Sequence, residues 1–412
     1  MDMREIFGKA IGIEIPWFIA DVNFDVKAKR LDIKIDFPKG TEFPFEQEGV
    51  VSLYKAYDTV EKEWRHLNFF EHECYLQARV PRIKTPDNKI HLIMPHWSGL
   101  QNGFTLLFEA LVLQLAKHMP VHQVAQLTHT SDHKIWSILD KYVEGARSRC
   151  DYSEVTQIGV DETSIAKGHD YVSLFVDLKK KKTMFVTEGK GSSTLLAFKH
   201  DLEAHGGVVN NITDVSCDMS PAFIKGVRDN LPEAQITFDR FHVLKLINEA
   251  VDQVRREEAK DNPLLKGTRF LFLKNDVKLT QVQRDQKEKL KLSELNLKSI
   301  EALNLRETFQ QIYCAHTEEQ FELLLNQWHD WAAKSQLTPM EKVAKTIKNH
   351  WDGIVQWKKS QINNGILEGL NSVVQAAKRK ARGYKAEHFK TIVYLITGGL
   401  DFSKLNSACL PT

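Results

Sequence analysis

The 412-residue chain holds only five cysteines, Cys74, Cys150, Cys217, Cys314 and Cys409, and no two of them stand at a zinc-ligand spacing. A zinc module is therefore not expected, and unpaired thiols suit a reducing, cytoplasmic setting. Charge of one sign is also missing, since 56 lysines and arginines stand against 54 aspartates and glutamates and leave +2. That balance excludes a global cationic field, so a polyanion must be held by local basic surfaces, with an affinity that falls steeply as salt rises. The longest apolar run, residues 104–116, is too short for a membrane span and carries Glu109. The opening residues, Met1-Asp-Met-Arg-Glu5, lack signal-peptide organisation, and no repeat or low-complexity tract occurs. With 42% hydrophobic residues the chain can bury more than one core, and two or three domains are expected.

Three acidic residues stand out from this background. Asp161 closes the apolar run from Val155 to Val160, which reads as a buried strand. Asp218 closes a second such run, Ile212 to Cys217, and is followed by Ser220-Pro221, an N-cap and first-turn pair that opens a helix. Side chains at the carboxyl ends of strands in an α/β sheet project into the crevice where ligands bind, although either aspartate alone could merely end its strand. Glu368 belongs to a helix over 366–382, where Ile366, Leu370, Val373, Val374, Ala377 and Ala381 form one apolar face. Glu368 falls opposite that face, on a polar ridge with Asn371, Gln375, Arg379 and Arg382, a ridge that on a plain surface helix would only be solvated.

The segments between the acids have an informative order. A strand from Val155, a turn around Gly168-His169, strands over 171–178 and 183–187, and a helix over 193–204 come first. The Gly206-Gly207 break, the strand ending at Asp218, its helix to Asn230 and a strand over 235–238 follow. The order β-β-β-α-β-α-β, with acids on the first and fourth strands and a third on a late helix, is the layout of the ribonuclease-H-like α/β fold. Between His242 and Glu368 almost no strand signal occurs, and about 120 residues read as an all-helical insertion. Its basic stretch, including Lys266, Arg269, Lys274, Lys278, Arg284, Lys287, Lys289 and Lys291, is a candidate phosphate-tracking surface.

Carboxylates alone suffice for one kind of chemistry. Two of them about 4 Å apart repel by roughly 4 kcal/mol at an effective dielectric near 20. A hard divalent cation, Mg²⁺ or Mn²⁺, relieves that repulsion, and a pair of such ions can activate an attacking hydroxyl and stabilise a leaving oxygen of a phosphodiester. Asp161, Asp218 and Glu368 are the candidate catalytic and metal-holding residues. Asp239 also ends a strand and competes with Asp218 for the second place. With His242 one turn into the next helix, and with Asn371, it otherwise forms a set that positions the acids or the DNA.

Upstream, residues 103–147 read as three helices with helix-turn-helix spacing. The short second helix, 121–127, would orient a third that carries His133, Lys134 and Trp136 toward a major groove.

Local strings resemble the bacterial insertion-sequence transposases of the ISL-three type. They are Trp64-Arg-His-Leu-Asn68, Gly159-Val-Asp-Glu-Thr163 with Gly168-His169, Asp239-Arg-Phe-His-Val243, Asn364-Gly-Ile-Leu-Glu-Gly369 and Lys378-Arg-Lys-Ala-Arg-Gly-Tyr384, spread over most of the chain. The resemblance implies DNA transposition, places the family's DDE triad on Asp161, Asp218 and Glu368, and implies a homodimer or higher oligomer on terminal inverted repeats and target DNA. It also implies a zinc-binding N-terminal module. Here the chain departs from the family, because the corresponding places read Phe43-Pro-Phe-Glu-Gln-Glu-Gly49 and Thr85-Pro-Asp-Asn-Lys89. That segment is expected to fold by apolar packing, with Arg65, Arg79, Arg82 and Lys84 still available to DNA.

The expected organisation is a strand-rich DNA-binding domain at 1–100 and a helix-turn-helix domain at 101–150. The catalytic domain then follows in two parts, 151–242 and 361–412, around a helical insertion at 243–360, with no membrane segment. A metal-dependent nuclease or resolvase of the same fold, and a DNA-binding regulator without activity, are the alternatives.

Overall fold

The computed structural model describes residues 3–165, 171–274, 278–291, 297–362 and 365–409. The chain forms two compact units, Met1–Cys150 with Val373–Thr412, and Asp151–Ser372. The predicted turn at Gly168-His169 lies outside the described residues, as does Asn364.

The first unit begins with helix α1 (Met3–Ile11) and strands β1 (Phe18–Asp25), β2 (Arg30–Asp36), β3 (Glu42–Gln47), β4 (Val50–Phe69), β5 (His72–Lys84) and β6 (Ile90–Leu92). They make a sheet of order β1-β2-β5-β4-β3 with β6 on β5, antiparallel except for the β2–β5 pair. Alternation buries Leu31, Ile33 and Ile35 of β2 and Cys74, Leu76, Ala78 and Val80 of β5 in one core with Trp17, Trp64 and Trp97. Three helices follow, α2 (Leu106–Ala116), α3 (Val121–Leu127) and α4 (Asp132–Arg147), and the hydroxyls of Thr105 and Ser131 cap α2 and α4.

The joint between sheet and helices is built from the string at 64–68. Trp64 is buried and its indole donates to Ser98 Oγ at 3.0 Å. The Arg65 guanidinium donates to the carbonyls of His66 and Cys74 and to Asn68, and only 6% of the residue is exposed. Arg65 is thus a structural tie and not the DNA contact expected from sequence, because once buried its donors had to be satisfied internally. Arg79 and Arg82 are likewise matched, by Asp36 and Asp58.

The His66 imidazole lies 2.9 Å from Thr105 Oγ1 and is pushed down to about 4 by burial and by the adjacent Arg65. From about pH 6.5 down to about pH 4 the unfolded chain takes up a proton that the folded chain refuses, so stability is full above that window and drops through it, by about 3 kcal/mol. Urea midpoints at pH 7 and pH 4 should therefore differ less in His66→Gln than in the parent chain. Equal losses in the two proteins would rule this out.

Glu109, which in sequence merely interrupted an apolar run, is fully buried. It accepts from Leu100 N (2.8 Å), Gln101 N (2.7 Å) and the Tyr142 hydroxyl (2.6 Å), clasping the loop before α2 and α4 together. Burial pushes its pKa up against the opposing pull of these three donors. Glu109→Ala strands all three donors and should cost about 3–5 kcal/mol in denaturant unfolding. A loss below about 1 kcal/mol would mean that water replaces the carboxylate.

The second unit is built on β7 (Gln157–Ser164), β8 (Tyr171–Asp177), β9 (Lys182–Glu188), α5 (Ser193–Ala204), β10 (Asp214–Cys217), α6 (Pro221–Asn230) and β11 (Gln235–Phe238). The strand order is β11-β10-β7-β8-β9, with β7 central, antiparallel to β8 and parallel to β10. This is the element order expected from sequence. After β11 the described chain is helical: α7 (Arg240–Glu258), α8 (Arg269–Leu273), α9 (Gln281–Lys291), α10 (Lys298–Ile312), α11 (Glu318–Lys334), α12 (Thr338–Asn349), α13 (Trp351–Ser360), α14 (Gly365–Ala381) and α15 (Ala386–Thr397).

The sequence assigns 361–412 to the catalytic domain, and from Val373 onward the chain packs within the first unit. Specific contacts hold it there. Thr391 donates to Asp140 at 2.7 Å, Asn406 to Tyr142 at 2.9 Å, Arg149 to the Lys404 carbonyl at 3.0 Å, and His388 stacks on Trp136.

Candidate active site

Strand register gathers the acids. In the parallel ladders Ser216 pairs with Gly159 and Cys217 with Phe238. Continuing each ladder to Asp218 brings it level with Asp161 on one side and Asp239 on the other, so three aspartates line up across neighbouring strands spaced about 4.8 Å apart. Asp161 does not end its strand as the sequence suggested. β7 runs on to Ser164 because β8 continues to pair with it, Asp161 opposite Leu174. The β10 ladder stops at Gly159, which leaves Asp161 on an edge without a strand beside it on that side.

Each carboxylate is held locally. Asp161 Oδ1 accepts from Glu162 N at 2.8 Å, Asp218 Oδ1 from Ser220 N at 2.9 Å, and Asp239 Oδ1 caps α7 through Phe241 N at 2.8 Å. The second oxygen of Asp239 takes His242 Nδ1 at 3.1 Å. Burial pushes Asp161 up to about 6, partly relieved by the Glu162 amide and by His242, while Asp239 and then Asp218 push it further. The hydrogen bond to Asp239 raises His242. Glu162, which sequence reasoning passed over, is raised by burial and by Asp218, and the Lys190 charge opposes this. Its only sequence signal was its place beside Asp161.

Helix α14 reaches this row through a gap left by a glycine. A Cβ on Gly159 would lie 2.8 Å from Leu367 and 2.9 Å from Leu178. With no side chain there, Leu367 seats directly on β7 among Val176, Leu178 and Ile362. One turn on, the Asn371 amide donates to Asp161 Oδ2, while its Oδ1 is buried without a hydrogen-bond partner. Glu368, next to Leu367, points the other way, is exposed, and lines a cavity of about 510 Å³ whose wall includes Asp239, Arg240, Phe241 and Trp357.

The structure therefore brings Asp161, Asp218, Asp239, His242 and Asn371 together, while Glu368 shares only the wall of a cavity with Asp239. No three His, Cys, Asp or Glu side chains among the described residues converge on one point as a metal would require, so the expected trio is not drawn into a single coordination sphere. Mutual repulsion of carboxylates opposes such convergence. The donor chemistry still fits a hard cation: the acids supply oxygen only, they already raise one another's proton affinity, and an unpartnered amide oxygen lies among them.

The expected DNA-contacting residues divide. His133 and Lys134 are exposed on α4. Trp136 is half-buried, its ring 3.8 Å from His388 and 6.0 Å from Tyr384, so its aromatic surface serves packing instead of a groove. The same contact carries the basic end of α14, where Arg379 and Arg382 are exposed, toward α4. In the insertion, Lys287 is buried and ion-paired with Glu307, which removes it from the phosphate-tracking stretch.

Comparison with known proteins adds four findings. Residues 158–393, more than half of the chain, match a family described as "Transposase", and residues 101–143 match the "Helix-turn-helix domain of transposase family ISL3". The chain is 25% identical over 349 residues to the transposase for insertion sequence element IS1001 of Bordetella parapertussis, covering 81% of this chain and 84% of that one. It is 23% identical over 365 residues to the transposase for insertion sequence element IS1557 of Mycobacterium tuberculosis, covering 82% and 81%. No described helix is long and apolar enough to cross a membrane.

Proposed function

Because this chain belongs to the insertion-sequence transposases of family ISL3, we propose that it binds the terminal inverted repeats of a bacterial element and cuts and joins DNA strands by a divalent-metal-dependent DDE mechanism. In this reading the sheet of the second unit is a ribonuclease-H-like catalytic fold interrupted by the helical segment 243–360. Asp161, Asp218 and Glu368 are its catalytic acids, and the protein acts as a homodimer or higher oligomer on DNA. What carries the reading is the cross-strand row of aspartates beside a helix that Leu367 anchors over Gly159.

The residues have separable tasks. Asp161, within β7 and tethered by Asn371, and Asp218, directly after β10 and fixed by the Ser220 amide, present oxygens to a cation. Glu368, exposed on α14 and lining a cavity with Asp239, brings a third oxygen. Bound Mg²⁺ or Mn²⁺ would activate the attacking hydroxyl and neutralise the leaving oxygen. His242, its positive charge favoured by Asp239, offsets the negative charge of the row and holds Asp239 in place. His133 and Lys134, with Arg379 and Arg382, supply a DNA-reading surface on the first unit.

The test uses purified full-length chain with duplexes taken from the DNA flanking its gene, in Mg²⁺ or Mn²⁺, with products resolved on sequencing gels. Cleaved and joined strands are expected. Cutting without joining would instead identify a nuclease or resolvase, and binding with no metal-dependent product a regulator.

A further inference from the structure

Helix α7 carries more than the Asp239 cap at its start. Phe241, Lys245, Glu249, Asp252 and Arg256 recur at steps of three or four residues and form one face along it. Phe241 and Leu244 belong at once to the wall of the Glu368 cavity and to that of a second cavity of about 620 Å³ farther along the helix. The two hollows therefore adjoin, sharing the same side chains.

The second cavity is cationic. Lys245, Arg256, Arg269, Lys278 and Arg306 line it against only two acids, Glu249 and Asp252, a surplus of three positive charges. Asp252 is already engaged by Arg255 at 2.7 Å, Arg256 at 3.3 Å and Arg269 at 3.6 Å, three guanidiniums on one carboxylate. Arg306 is buried and bonded to Asn248 and the Leu273 carbonyl, whereas Lys245, Arg256, Arg269 and Lys278 are exposed. Phe241, 54% exposed at the junction, is an aromatic face turned to solvent between the two hollows.

The geometry points to a strand-guiding groove along α7: the cationic cavity holds the backbone phosphates of the DNA strand whose reacting phosphate lies in the Glu368 cavity, and Phe241 stacks on a base where the two meet. From Phe241 to Arg256 the face runs about 22 Å at 1.5 Å per residue. At 3.4 Å of axis per nucleotide that length serves about six nucleotides. Exposed cations track phosphates of any sequence, and an aromatic face accepts any base, so the groove adds grip without sequence preference. The assignment rests on the transposase reading, because the neighbouring acids are what make a DNA strand the fitting occupant.

The test measures fluorescence anisotropy of full-length protein with short single-stranded oligodeoxynucleotides between about 0.05 and 0.2 M salt. The triple variant K245A/R269A/K278A is expected to lower the slope of log affinity against log salt by about two, at roughly 0.7 per phosphate contact. Phe241→Ala should weaken binding about tenfold at fixed salt with the slope unchanged, an effect absent when the oligonucleotide is abasic. The charge-keeping variant K245R/R269K/K278R should retain the parent slope, which separates lost charge from lost fold. An unchanged slope in the alanine triple with a native circular-dichroism spectrum overturns the groove. So does an equal slope change with a polyglutamate peptide, which would reassign the surface to an acidic protein segment. If the slope falls as expected but the parent protein makes no metal-dependent DNA product, the transposase reading fails while the groove stands. Cleavage and joining with no change of slope do the reverse.

Discussion

Asp161→Asn is expected to lower strand cleavage and joining by about 10³-fold or more while DNA binding stays within about threefold of the parent. The substitution keeps the shape of the side chain and one acceptor oxygen, giving up a single hydrogen bond, from Asn371 or from the Glu162 amide, so the fold should survive. What it removes is the negative charge at the centre of the aspartate row. If that charge holds a cation worth several kcal/mol of transition-state stabilisation, losing about 4 kcal/mol slows the reaction by about 10³. Glu368→Gln should behave alike, although Glu368 lies apart from the row, exposed on α14. The same assay separates the rivals for the second place. A catalytic Asp218 makes Asp218→Asn as slow as Asp161→Asn, whereas Asp239→Asn, losing only its grip on His242 and on the start of α7, should fall by about 10- to 100-fold. Reversal of that ranking would transfer the role to Asp239, whose charge acts on Asp161 more strongly and which shares the cavity with Glu368. Retained cleavage in Asp161→Asn would end the mechanism.

Leu367→Ala should cost about 2–5 kcal/mol of stability, because a fully seated leucine leaves a cavity on β7. Gly159→Ala should cost about 1–3 kcal/mol for the opposite reason, a methyl group forced against Leu367 and Leu178. The two changes oppose each other in space. Combined, the new methyl occupies part of the space the leucine gives up, and the double variant should be at least about 1 kcal/mol more stable than the sum of the singles. Urea unfolding measures the cycle, and strict additivity would mean that the two side chains do not meet. Activity adds a second readout. Helix α14 presents both Asn371 and Glu368, so either single variant should lose about tenfold or more in joining even at temperatures where it is fully folded, a loss in keeping with small displacements of positioning residues.

Much of the fold was legible because its elements carry their own periodicities and stops. The helices 193–204 and 121–127 and the strand 235–238 lie where the sequence put them, bounded by Gly206-Gly207, by Pro120 and Thr128, and by Asp239. The sequence predicts the late helix over 366–382, and it runs Gly365–Ala381. The site was legible as a set of residue types but not as an arrangement. Nothing along the chain said that Asn371 would bond to Asp161, 210 positions away, or that Arg65 would turn inward. A glycine inside a buried strand, as at Gly159, marks a close approach by something else, here Leu367.

The sequence by itself determined which segments become strands and helices and in what order, since hydrophobic period and turn chemistry are local properties of neighbouring residues. Only the tertiary structure decided that Asp161, Asp218 and Asp239 share one level across the sheet, that α14 settles on Gly159, and that the last forty residues pack with the first unit. Register and docking are chosen by how distant apolar faces fill one another's gaps and by where buried polar groups find partners, and neither is written in any short stretch of chain.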